Sequence, residues 1–219
     1  MLEQYHTTRQ NVSQFVNSTL NGVAAQIERD QFIDAQIISQ LAKAGYLGAS
    51  ISKKYGGSQM DSYELCALHE TIAAVHGSLE NLITVTGMVS TPIQRAGNKA
   101  QKEYYLPKLA SGELVGAIAL TEPNIGSDLA NAETQLTQDG DGWRLNGKKK
   151  WITLAQIADF YIVLTRFGNK MTTVIIDRNT EGLTVTPIRD LLGLRGNMLA
   201  ELNFDNCRLE ADALLGQIS

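Results

Sequence analysis

Cysteine is nearly absent from this chain of 219 residues: only Cys66 and Cys207 occur, with no C-x-x-C pair. Neither a disulfide framework nor a thiolate zinc site is indicated, and a reducing compartment is expected. There is no basic excess either. Lys and Arg number 19 against 23 Asp and Glu, and a net charge of -4 offers no electrostatic footprint for nucleic acid or an anionic membrane. No apolar run approaches the ~18 residues of a membrane span. The opening segment 1–10 (MLEQYHTTRQ) holds an acid and lacks the apolar core of a signal peptide, so a cytoplasmic location is expected. Internal repeats, low-complexity tracts and flexible linkers are also missing.

What is present is a globular composition, 43% hydrophobic and 19% charged, in a length that allows one large domain or two small ones. Up to about Gly112 apolar residues recur at helical spacing, as in Phe32, Ile33, Ile37, Ile38 and Leu41, with Gly45 placed to stop that helix. Helices are expected over about 3–27, 33–44, 61–76, 79–96 and 99–110. After Gly116 short β-rich runs alternate with the turn dipeptides Asp139-Gly140, Asp141-Gly142, Asn146-Gly147 and Glu181-Gly182. The pattern predicts a multi-domain chain of α and β structure: an all-α helical bundle over 1–115, then an antiparallel β-barrel over 116–219, the two packed directly together. Asn146-Gly147 between Trp143-Arg144-Leu145 and Lys149 to Thr153 reads as a hairpin, because a type I′ turn needs positive φ at both central residues.

Most motifs for chemistry fail on spacing. His69 and His76 stand seven apart on a helix, about 10 Å of rise, too far to share a metal ion. His69-Glu70 begins no H-E-x-x-H, and both histidines read as ordinary surface or core residues. Residues 142–149 (GWRLNGKK) approach a phosphate-binding loop, but Lys149 replaces the needed hydroxyl and the context is not strand-loop-helix. The run Lys148 to Lys150 then reads as a solvated turn. No G-x-S-x-G or G-x-G-x-x-G occurs.

Two segments remain. The first, 120–128 (LTEPNIGSD), leaves the first β-run carrying hydroxyls, a proline and Gly126, which lets backbone approach a ligand. The second is the strand Lys150-Trp151-Ile152-Thr153-Leu154, where alternation sets the Trp151 indole and the Thr153 hydroxyl on one face and Ile152 on the other. A flat ring beside a hydroxyl suits a planar heteroaromatic ligand with polar edges. Either segment alone also fits an ordinary turn or barrel core.

Together, in this order, the motifs resemble the acyl-CoA dehydrogenase family over nearly the whole chain. Tyr55-Gly56-Gly57 matches its early turn, 92–113 (PIQRAGNKAQKEYYLPKLASGE) its late helical segment and 118–128 (IALTEPNIGSD) its flavin loop. Trp151-Ile152-Thr153 matches the W-I-T strand, and 193–196 (GLRG) with 213–216 (ALLG) the end of its middle domain. The resemblance implies a helical N-terminal domain, a middle β-barrel domain and, in the full-length family, a C-terminal four-helix domain, with FAD between the last two. By position, Thr121 and the backbone near Leu120 would meet the flavin pyrimidine edge and the Thr153 hydroxyl would reach near N5. Trp151 would pack on the ring, with Ile152 and Gly126 completing the cofactor-binding set. Ser127 would touch FAD or the pantetheine of a thioester substrate.

The implied reaction is α,β-dehydrogenation of an acyl-CoA or acyl-carrier-protein thioester. A carboxylate removes the α proton while the β hydride passes to flavin N5, and electrons leave to an electron-transfer flavoprotein. The family's base is a glutamate of the C-terminal helical domain, and no residue here matches it; Glu122 occupies a structural position. The chain is therefore expected to be the first two domains, or one subunit of a split enzyme, working as a homo-oligomer or with a chain that supplies the C-terminal helices. A flavin oxidase or monooxygenase of the same fold is an alternative, as is a non-catalytic partner subunit. Three departures from the family pattern stand out: Asn124-Ile125 in the flavin loop, Glu210 where proline is common, and Ser52-Lys53 before Tyr55.

Overall fold

The structure, a computed structural model, describes residues 2–218. Helices come first: α1 (Leu2–Thr19), α2 (Val23–Asp30), α3 (Ala35–Lys43), α4 (Ser62–Ala73), α5 (Gly77–Ala96) and α6 (Lys99–Ser111). Their starts follow from local chemistry. Asp34 caps α3 by accepting from the Gln36 N–H. Reciprocal capping boxes, Asp61 with Glu64 and Asn98 with Gln101, open α4 and α6. The expected helix over 3–27 is instead two helices. Gly22, at φ 76°, takes a left-handed conformation that ends one and restarts the next, and α2 runs on to Asp30. No helix among the described residues is long and apolar enough to cross a membrane.

Seven strands follow: β1 (Gly116–Ala119), β2 (Gln135–Asp139), β3 (Gly142–Ile152), β4 (Phe160–Phe167), β5 (Lys170–Asp177), β6 (Leu183–Pro187) and β7 (Ala200–Leu209). They form one curled sheet in the order β1-β4-β2-β3-β7-β6, with β5 also on β4. The sheet is mixed rather than purely antiparallel, because β1 and β2 both run parallel to β4. Asp159 locks the first parallel pair at its start. Its N–H donates to the Val115 carbonyl and its carboxylate accepts the Val115 N–H, each at 2.7 Å.

The expected hairpin at Asn146-Gly147 does not form. These residues lie inside the 11-residue β3, which pairs with β7 through a register shift between Leu145 and Gly147. The dipeptide serves a bulge instead. Asn146 Oδ1 accepts the N–H of Asn206, itself at φ 53°, and Gly147 sits at φ 147° with Thr134 so close that a Cβ would lie 2.7 Å from its Cα. The tight hairpin falls one turn earlier, where Asp139 pairs with Gly142 across Gly140-Asp141.

Strand β4 joins the two halves. Phe160 and Ile162 face the helices and pack with Val89 and Ile93 of α5, while Tyr161 and Val163 face the sheet core with Leu145, Leu202 and Phe204. Buried on both sides, β4 reads as a continuous apolar run, as a strand between two layers must. Both cysteines are free, Cys66 exposed on α4 and Cys207 buried on β7.

Candidate functional site

Leaving β1, the segment Leu120–Asp128 is held at its base by β3. The Leu120 carbonyl accepts from Lys149 Nζ at 2.9 Å and the Thr121 carbonyl accepts from the Lys150 N–H at 2.9 Å. Glu122 then folds inward. Its carboxylate accepts from Lys149 Nζ at 2.8 Å, from the Thr134 N–H at 2.9 Å and from the Glu133 N–H. Both partners of the ion pair are removed from water, with side-chain exposures of 0% for Lys149 and 2% for Glu122. Burial alone would raise the Glu122 pKa, but hydrogen bonds from Lys149, Thr134 and Glu133 outweigh it and hold the carboxyl below its usual range. Burial pulls the Lys149 ammonium down, opposed by Glu122. The solvated lysine turn expected from the sequence is thus wrong at its centre: Lys148 is exposed, Lys149 is sealed in, and Lys150 pairs with Glu201 at 2.8 Å.

Strand β3 ends at Ile152, so Thr153 lies in a turn rather than in the expected W-I-T strand. A second bulge precedes that end. Lys149 opposes Leu202 but Ile152 opposes Ala200, and the extra residue is absorbed with Trp151 at φ 62°. The bulge re-aims the indole outward, where it is 51% exposed beneath Lys150 Nζ, 5.1 Å from the ring centroid. Simple alternation sets Trp151 and Ile152 on opposite faces; here the bulge leaves Trp151 exposed and Ile152 buried. Beyond Thr153, the Leu154 N–H donates to the Asn197 carbonyl at 2.9 Å and the Gln156 N–H to the Met198 carbonyl at 3.2 Å. Asn81 of α5 donates to Asn197 Oδ1, tying this corner to the helices.

Of the residues the sequence singles out, Leu120, Thr121, Trp151 and Thr153 fall on adjoining backbone around the Lys149–Glu122 pair. Ile152 turns into the sheet core at 3% exposure, which leaves only its backbone for a ligand. Ser127 is exposed at the far end of the loop, and no hydrogen bond among the described residues joins it to the others. Gly126 has open space where a Cβ would stand, so packing within this chain does not require glycine there. The hydroxyls of Thr121, Ser127 and Thr153 have no protein partner among the described residues. Free hydroxyls beside an outward indole and an unobstructed loop are a donor set that fits a flavin. Sequence reasoning missed Lys149 as the lock on this loop. Its partner is 27 positions away, and the bulge reverses the facing that alternation assigns.

Helices layered on a curled mixed sheet, with a polar loop pinned to a strand that ends in an aromatic bulge, define a two-layer scaffold of α and β structure. Residues 3–113 match the family model for the acyl-CoA dehydrogenase N-terminal domain, and residues 117–207 match that for the middle domain. The chain belongs to the acyl-CoA dehydrogenase family. It is 33% identical to mitochondrial isovaleryl-CoA dehydrogenase of Pongo abelii, covering 98% of this chain and 53% of that one. It is 35% identical to an acyl-CoA dehydrogenase of Bacillus subtilis, covering 95% and 57%. Glutaryl-CoA dehydrogenase of Mycobacterium smegmatis, solved in complex with FADH2, superposes with a TM-score of 0.91 at 28% identity, over 97% of this chain and 55% of that one. The chain thus spans about half the length of the relatives it matches.

Proposed function

We propose that this chain forms the helical and sheet portion of an FAD-dependent acyl-thioester dehydrogenase. FAD would lie along Leu120, Thr121, Gly126, Trp151, Thr153 and the Ile152 backbone, with Ser127 meeting FAD or an acyl-CoA or acyl-carrier-protein thioester. The observation that supports this reading is the pinning of Leu120 and Thr121 to β3, the strand that carries the outward Trp151 indole. When bound, FAD supplies an acceptor for a hydride. The chain's own part is orientation: the Thr121 and Thr153 hydroxyls fix polar edges, Trp151 covers an apolar face and excludes water, and the Lys149–Glu122 pair keeps the loop from shifting.

Glu122 moves no proton in this reading, because three donors already occupy its carboxylate. Glu201 is taken by Lys150, and Asp128 by Asn131 at 2.6 Å. By the family resemblance, the proton-abstracting carboxylate would come from C-terminal helices outside these residues, carried by a continuation or a separate chain in a homo-oligomer or complex, and an electron-transfer flavoprotein would take the electrons. The purified 219-residue protein, desalted after exposure to FAD, should be nearly colourless. Mixed with a chain carrying the family's C-terminal helices, it should gain flavin absorbance that bleaches on adding an acyl-CoA. Absence of flavin absorbance in the mixture would sink the reading. Turnover by the chain alone would place a base within it, with Glu122→Gln the first variant to make.

A further inference from the structure

A cleft of about 430 Å³ opens between α4 and α5 against the edge of β1. Leu65, Ile83, Met88, Pro92 and Ile118 make its walls apolar. Ile118 is two residues before Leu120, about 7 Å along an extended chain, so the cleft begins beside the loop assigned above to the flavin. Against these apolar walls His69 and Thr84 also line the cleft, and both are held from behind by Glu80. His69 Nδ1 lies 3.0 Å from Glu80 Oε1, and the Thr84 hydroxyl donates to the same oxygen. The other cleft-lining threonine, Thr91, spends its hydroxyl on the Gly87 carbonyl.

This arrangement fixes what the imidazole can offer. With Nδ1 aimed at a carboxylate, the proton sits on Nδ1, and Nε2 is left as the free polar atom of the ring, without a partner among the described residues. A long apolar tail pressed against it would strip water from Nε2 and from the Glu80 carboxylate and give no hydrogen bond in return. A tail ending in a carboxylate would bring a second negative charge toward Glu80, whose one ionic partner among the described residues is His69. A hydroxyl avoids both costs, since it donates to a neutral Nε2 or accepts from a protonated one.

Resting on the thioester reading above, we propose that His69, oriented by Glu80, is a specificity-determining residue that selects an acyl thioester with a neutral hydrogen-bonding group, a hydroxyl, at its distal end. The test is a titration of the complemented protein, its flavin already reduced so that no turnover follows, with butanoyl-, hexanoyl- and octanoyl-CoA and their ω-hydroxy counterparts. Binding is read by calorimetry and by the Nε2 shift of ¹⁵N-labelled His69. At one chain length or more the hydroxyacyl member should bind about fivefold to tenfold tighter, the worth of one neutral hydrogen bond, and move the Nε2 resonance. His69→Leu should erase that preference, while His69→Gln, which keeps a polar atom near the place of Nε2, should keep part of it. Equal or tighter binding of the plain acyl member at every length overturns the inference and leaves the thioester reading standing. So does a preference that survives in His69→Leu. If no thioester binds, the thioester reading itself fails and the inference falls with it.

Discussion

His76 in the helical half and Lys149 in the sheet half are each drawn to a glutamate at 2.8 Å, yet the two pairs are built differently. His76 caps α5, accepting the Ser78 N–H at Nδ1 and turning Nε2 to Glu28, whose side chain stays 39% exposed. Lys149 and Glu122 have no water to fall back on. The helical half keeps its charged groups at the rim of an apolar interior, where a partner lost is replaced by solvent. The sheet half runs an ion pair through its core and hangs its candidate ligand loop on it. Rim pairs in general contribute little to stability, whereas a buried pair broken on one side is costly.

Lys149→Met gives the largest expected effect that can break this contrast. It leaves the Glu122 carboxylate buried without its cation, a loss of about 3–5 kcal/mol, read by urea unfolding. His76→Asn keeps an acceptor for the Ser78 N–H and loses the contact to partly solvated Glu28 with some packing of a ring only 9% exposed, a loss of about 1–2 kcal/mol. If the two variants unfold at the same denaturant concentration, the contrast between core pair and rim pair collapses.

The same pair predicts an acid limb. Because the folded Glu122 pKa lies below its unfolded value, its contribution is fully present above the ordinary glutamate range near 4.5 and is lost as pH falls through the folded value. Melting temperature should therefore drop on acidification below about pH 4.5. Glu122→Gln, which cannot titrate, should start lower and show a shallower drop. An unchanged acid slope in that variant would assign the limb to other carboxylates.

Legibility in the sequence divides along the same line. Helix starts at Asp34, Asp61 and Asn98, and the stop near Gly45, are signals within a few residues of what they control, so periodicity and capping recover most of the bundle. Gly22 escaped because the apolar spacing runs through it. In the sheet, β2 pairs with β3 and β4 with β5 across short turns, but β1 finds β4 beyond a whole hairpin, and no local pattern encodes a parallel partner that distant. Of Asn146-Gly147 only Gly147 takes positive φ, and it serves a bulge rather than a turn, since both devices favour the same residues. The motif residues of the candidate site were readable, while the Lys149–Glu122 lock beneath them was not, because a buried lysine looks like any surface lysine until its acid is known.

Glycine substitutions sharpen the comparison at smaller cost. Gly147→Ala places a methyl against the Thr134 backbone in a conformation that L residues avoid, for an expected loss of about 1–3 kcal/mol. Gly126→Ala meets nothing within the chain and should leave stability within about 0.5 kcal/mol. Flavin absorbance in the complemented protein then separates roles: Gly126→Ala should lower it with the melting temperature unchanged. A Gly126→Ala variant that binds flavin normally would mean that no ligand backs onto the loop there.

The smallest effect on stability, and the most specific, belongs to Thr153→Val beside Thr165→Val. Both changes delete a hydroxyl and keep the β-branched shape. Thr165 is fully buried and its hydroxyl bonds the Thr172 carbonyl at 3.3 Å, so its loss should cost about 1 kcal/mol and leave flavin binding untouched. Thr153 is half-buried in its turn with a hydroxyl that no described residue meets, so Thr153→Val should unfold within about 0.5 kcal/mol of the parent. Its expected defect is in the complemented protein alone: flavin affinity about fivefold to tenfold weaker, the worth of one hydrogen bond, with a shifted reduction potential. The pairing matters because a barrel-filling threonine and a cofactor-facing threonine predict opposite columns of data. A Thr153→Val protein that melts lower and holds flavin as tightly as before would behave like Thr165, and the hydroxyl at the end of β3 would have to be removed from the site.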